Sequence, residues 1–157
     1  MGATRSWFPL KGRSQLLFAD DIGNLTNFKL HVVDTTEIAV NQECGTTYKY
    51  DYITTTLYLN PSMSDSIYFS LASGDWLCMR AMTGSNFNIN MCNVFGQTKE
   101  GVIAKKLSDE TIGSRTYSEA IVLLHNQGNL DTIDSVFIAN NAGIVGFKYA
   151  NKKFVLQ

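Results

Sequence analysis

The sequence predicts an all-β domain: an antiparallel curved sheet, sandwich or barrel of about eight to ten short strands, with at most one short helix. Three observations carry this expectation. Strand-forming Thr, Tyr, Phe, Val and Ile are plentiful. The 12 glycines and many Asn, Asp and Ser residues fall between apolar runs, where turns are needed. Only Pro9 and Pro61 occur as prolines, and neither interrupts a strong strand candidate.

The elements follow in order. "SQLLFADDIGNLTNFKLHVV" reads as a hairpin turning at Asp21-Ile22-Gly23-Asn24. "TTYKYDYITTTLYLN" alternates strictly, with Tyr48, Tyr50, Tyr52 and Thr54 on one face and Lys49, Asp51 and Ile53 on the other. Such an aromatic stripe is ordinarily a half-buried packing surface. If exposed, Tyr48, Tyr50 and Tyr52 form a candidate ligand or interaction face. "DSIYFSLAS", "DWLCMRAM" and "NFNINMCNVF" come next, the last two around Thr83-Gly84-Ser85-Asn86. A three-residue loop at 84–86 sets Met79 opposite Met91, Ala81 opposite Ile89 and Leu77 opposite Asn93, which makes one face almost wholly apolar. A slip of one residue puts Arg80 against Met91 and spoils that face.

The same register sets Cys78 opposite Cys92. Directly opposed Cβ atoms stand ~4.5–5.5 Å apart, wider than the ~3.8 Å that a disulfide prefers. A strained Cys78–Cys92 bridge and a pair of reduced core cysteines are both open readings, with Cys44 either the odd thiol or a replacement for either partner. Residues 116–127 also admit two readings. Thr116 and Glu119 have capping-box spacing, and the apolar run Ala120 to Leu124 fits either a short buried helix or a buried strand. The chain closes with the strands "DSVFIA", "GIVGFKY" and "KFVL", the last two joined around Ala150-Asn151-Lys152.

The 157 residues suffice for a single domain spanning 1–157, with residues 1–5 expected to be disordered or foreign to the natural chain. Apolar residues make up 45% and charged residues 17%, which excludes a disordered chain. A net charge of −1 supplies no general field for nucleic acid, and the basic runs are only the pairs Lys105-Lys106 and Lys152-Lys153. Nucleic acid is not an expected partner. No apolar stretch approaches the ~20 residues of a membrane helix.

"IDSVFIANNAGIVGFKY" imitates the Asn-Ala-Gly strand end of a short-chain dehydrogenase, with Tyr149 and Lys153 in Tyr-x-x-x-Lys spacing. A nucleotide fold needs a glycine-rich turn between its first strand and a helix. Here the early glycines, Gly2, Gly12 and Gly23, are far apart, and Tyr149 follows Gly143 too closely to lie on a downstream helix. Asn140-Asn141-Ala142-Gly143 is therefore read as a hairpin turn. No other chemistry has a motif. His31 and His125 lack close-spaced metal partners, and a Cys44–His125 nucleophile pair has no local support. Asp20-Asp21 and Asp109-Glu110 read as solvated turn carboxylates. No catalytic, cofactor-binding or metal-binding residue is assigned.

The order of segments resembles that of small secreted lipoproteins of Bacteroidota. "WFPLKG", the hairpin "LLFADDIGNLTNFKL", Cys44 before "YKYDYITTTL", then "YSEAIVLL", "SVFIANNAGIVGFKY" and "KKFVL" carry the likeness, with Phe137 where such proteins usually have a Tyr-Tyr-Ala strand. The resemblance tips 116–127 toward strand. It implies an exported protein of the periplasm or outer membrane, or a secreted one, tethered only through a lipidated N-terminal cysteine that this chain lacks. It brings no reaction or site residues. The leading expectation is a non-enzymatic cell-envelope domain that binds a small apolar molecule in a cleft. The alternatives are a protein- or glycan-interaction module using a sheet edge or aromatic face, and thirdly a hydrolase without a recognisable motif.

Overall fold

The computed structural model describes residues 6–7, 10, 12–40, 45, 47–72, 76–92, 102–125 and 133–157; residues 36–40, 48–52, 71–72, 76–77, 87–88 and 90–92 are described by backbone alone. Among the described residues the extended elements are all strands: β1 (Gln15–Asp20), β2 (Leu25–Val40), β3 (Thr47–Tyr58), β4 (Ser66–Ala72), β5 (Trp76–Thr83), β6 (Asn86–Cys92), β7 (Val102–Ile112), β8 (Arg115–His125), β9 (Ile133–Ala139), β10 (Gly143–Tyr149) and β11 (Lys152–Leu156). They form one sheet in the order β6-β5-β4-β3-β2-β1-β11-β10-β9-β8-β7, with neighbours antiparallel throughout. The all-β antiparallel expectation holds, with eleven strands where eight to ten were expected. The addition is β7, whose burial does not alternate cleanly and whose Lys105-Lys106 and Asp109-Glu110 pairs disguise it.

Two meanders, β1 to β6 and β7 to β11, meet at the antiparallel β1–β11 pair. That arrangement makes the edge strands β6 and β7 run in the same direction. The sheet curls into a half-barrel until β6 approaches β7, β8 and β9, and β5 approaches β9. On the concave face the four central strands contribute one ring each to an aromatic cluster. Phe18 meets Phe147 edge-on at 5.0 Å, and Phe147 stacks on Phe154 at 5.0 Å. Phe28 meets Phe154 at 5.3 Å. These spacings are the favourable ones for ring quadrupoles, and Phe18 and Phe147 are fully buried.

Local chemistry explains the turns. Asp20 accepts from the Asn24 N–H at 2.7 Å and the Ile22 N–H at 3.2 Å, which organises the β1–β2 turn. Ala150 and Asn151 both have positive φ, the two-residue hairpin geometry whose twist matches the flanking strands. Asn140 to Ala142 join β9 to β10 in a hairpin, as read above.

Two features, the β5–β6 turn and Asp109-Glu110, depart from the reading of the sequence, and one choice left open there is decided. The β5–β6 turn has two residues, not three, because Thr83 pairs with Asn86; a bulge at Asn88 then restores Ala81 opposite Ile89 and Cys78 opposite Cys92. Of the two readings open for residues 116–127, strand holds as far as residue 125, where the described part of the segment ends: Arg115–His125 is strand β8, the Thr116 hydroxyl meets that of Thr111 at 3.0 Å across the hairpin, and Glu119 bonds Asn140. Asp109-Glu110 lies within β7 and not in a turn, with Asp109 in the left-handed region.

Candidate functional site

Across the concavity, β3 and β4 face β9 and β10, and the space between them is apolar. Ile53, Thr55, Leu57 and Leu59 alternate inward along β3, all buried. Phe69 lies beside Thr55 in the β3–β4 register, and Ile138 pairs with Ile144 on the far wall. Two residues ahead of β1 plug the trough: Trp7 and Leu10, 6% and 3% exposed, pack between the two walls. Asn141 donates its N–H to the Ser6 carbonyl at 2.7 Å, which seats this plug against the β9–β10 turn. Gly143 leaves room for Leu10, whose side chain would lie 3.1 Å from a Cβ at that position.

Trp7, Leu10, Thr55, Phe69, Ile138, Gly143 and Ile144 enclose a cavity of about 10 Å³, at the lower limit for one water. Thr55 supplies the only hydroxyl in this lining, the one other polar side-chain group being the indole N–H of Trp7. The Thr55 hydroxyl is buried, 1% exposed as a residue, and has no hydrogen-bond partner. Buried hydroxyls are nearly always paired, so an orphan inside an apolar seat marks a place where a polar atom is expected.

The other end of β10 is closed by polar contacts. Tyr149 donates its hydroxyl to Asp65 Oδ2, while Asp65 Oδ1 accepts from the Gly84 N–H at 2.9 Å and the Ser64 hydroxyl at 3.1 Å. The buried Asp65 thus ties the β3–β4 loop, the β5–β6 turn and the end of β10 together. Burial pushes its carboxyl up, but the hydrogen bonds from Tyr149, Gly84 and Ser64 outweigh this and hold it below the usual range. Asp20 behaves alike: desolvation is outweighed by the Asn24 and Ile22 bonds and by Lys152 at 3.8 Å. It is a turn organiser, not the free turn carboxylate expected.

The predicted site residues divide. The side chains of Tyr48, Tyr50 and Tyr52 lie outside the described residues, as does Cys44. Cys78 is disulfide-bonded, and Cys92 stands opposite it in the register. His31 is exposed on β2, whereas His125 ends β8 with its Nδ1 buried and unpaired. Among the described residues no three His, Cys, Asp or Glu side chains group as metal ligands. Thr55 was missed because one threonine within "ITTTL" carries no signal of its own; only the seat around it does.

The chain matches no family model, no curated protein and no solved structure.

Proposed function

We propose that this chain is a non-enzymatic, exported domain of the cell envelope that binds a small apolar molecule in the trough of its curled sheet, in exchange for the Trp7–Leu10 plug. The observation that carries the reading is the plug itself. Because it adds no strand to the ladder, its departure breaks no strand pairing. The cost is the apolar burial of one Trp and one Leu, about 1.5–3 kcal/mol for the leucine and more for the larger ring. A ligand covering the same walls offsets that cost. The disulfide at Cys78 supports an oxidising compartment, as does the resemblance to secreted lipoproteins.

Titration of the full chain with 1-octanol, followed by calorimetry, tests the reading. Trp7→Ala is expected to bind more tightly than the unaltered chain, because it removes the competing occupant. Failure of both proteins to bind would refute the proposal.

A second reading, an interaction module, rests on a different observation. Ile22 and Leu25, 78% and 63% exposed, flank the β1–β2 turn, and Met63, 45% exposed, tips the neighbouring β3–β4 loop. Exposed aliphatics on adjacent turns form a candidate contact for a protein or glycan. Ile22→Ser with Leu25→Ser would abolish capture of such a partner and leave octanol binding unchanged.

A further inference from the structure

We infer that the trough selects a neutral, largely apolar molecule carrying a single hydroxyl or carbonyl oxygen, and that the Thr55 hydroxyl recognises that oxygen; the inference rests on the trough being the binding site. Thr55 sits between Ile53 and Leu57 on the inward face of β3, where valine would fill the same space with no polar atom to satisfy. Its hydroxyl is instead buried and unpartnered within the seat of Trp7 and Leu10. A hydroxyl donates one hydrogen bond and accepts others, so it matches an alcohol or a carbonyl equally well.

The remaining lining excludes charge. Phe69, Ile138 and Ile144 form the walls, and among the described residues no cationic or anionic side chain lines the cavity. A carboxylate or ammonium placed there would lose its hydration without a counter-ion, which disfavours fatty acids and amines relative to alcohols. The indole and isobutyl groups now in the seat set the scale of the occupant: a medium alkyl chain or a small ring system with its oxygen directed at β3.

Calorimetric titrations of the full chain with 1-octanol, octanoate and n-octane test this directly. The unaltered protein is expected to bind octanol at least tenfold more tightly than octanoate. Thr55→Val should weaken octanol about fivefold while leaving octane unaffected, and Thr55→Ser should retain the octanol preference. Octanoate binding as tightly as octanol, or Thr55→Val binding octanol like the unaltered chain, would overturn the inference while leaving the trough as a site. Absence of octane and octanol binding alike would overturn the site reading and the inference together. The octanol-to-octanoate comparison needs no variant, so the test stands even if Thr55→Val folds poorly.

Discussion

At the residue scale, two of the buried polar side chains among the described residues stand in opposite conditions. Thr55 has no partner, whereas Asp65 has several. In the ligand-free protein, Thr55→Val should therefore raise stability by about 1 kcal/mol, because an isosteric methyl replaces a desolvated hydroxyl. Thermal melts would check the sign; a lower melting temperature would mean the hydroxyl is satisfied in solution. Asp65→Asn should instead destabilise by about 2 kcal/mol, the scale of hydrogen bonds to a charged group. The coupling to Tyr149 would appear in a double-mutant cycle with Tyr149→Phe. The pH dependence has a definite sign. A carboxyl whose folded pKa lies below its ordinary value of 3.8 stabilises the fold fully above that value, and the contribution is lost as pH falls through the lowered folded pKa. Stability measured by denaturant titration should thus be flat from neutral pH to about pH 5 and fall below about pH 4, less steeply in Asp65→Asn. Equal acid slopes in the two proteins would contradict this role for Asp65.

At the element scale the β7–β8 hairpin shows what a long twisted ribbon can do. Its tip folds over the face opposite the phenylalanine cluster, where Ile112 packs 3.5 Å from the Cβ position of Gly146, and Gly113 lies against Val155. Gly113 has φ +67, and a Cβ there would fall 2.3 Å from Val155 Cγ1. Gly113→Ala should cost about 2–3 kcal/mol, part backbone strain and part overlap. Adding Val155→Ala should recover only the overlap, which denaturation midpoints of the two variants would reveal.

The β5–β6 hairpin tests register. With Cys78 in a disulfide, one thiol should react in the denatured, unreduced chain and three after reduction. Three reactive thiols before reduction would contradict the bridge. This hairpin was legible in the sequence because its apolar face tolerates one alignment of Met79, Ala81, Ile89 and Met91. Its turn was not, because a two-residue turn plus a bulge spans the same register as a three-residue loop. Strand β7 was illegible for another reason. As an edge strand it carries charged pairs where an alternating pattern would otherwise stand out.

At the scale of the whole molecule, turn chemistry and alternation were enough to foresee an antiparallel all-β domain, with curved sheet, sandwich and barrel left open. A curved sheet was among the expectations, but the parallel directions of β6 and β7 and the packing of Trp7 and Leu10 were not foreseeable, because each depends on residues far apart in the chain. Thr55 on β3 meets Ile138 on β9 and Leu10 ahead of β1, and no periodicity links such positions. "WFPLKG" stood out as a segment, but the packing of Trp7 and Leu10 on the concave face required the two walls that enclose them.

The exchange of plug for ligand can be followed at Trp7 itself. In Trp76→Phe, which leaves Trp7 as the sole tryptophan, acrylamide should quench the fluorescence weakly, since Trp7 is 6% exposed. Quenching should rise severalfold at saturating 1-octanol, as the indole is expelled to solvent. A Trp7 that stays shielded at every octanol concentration would contradict the account.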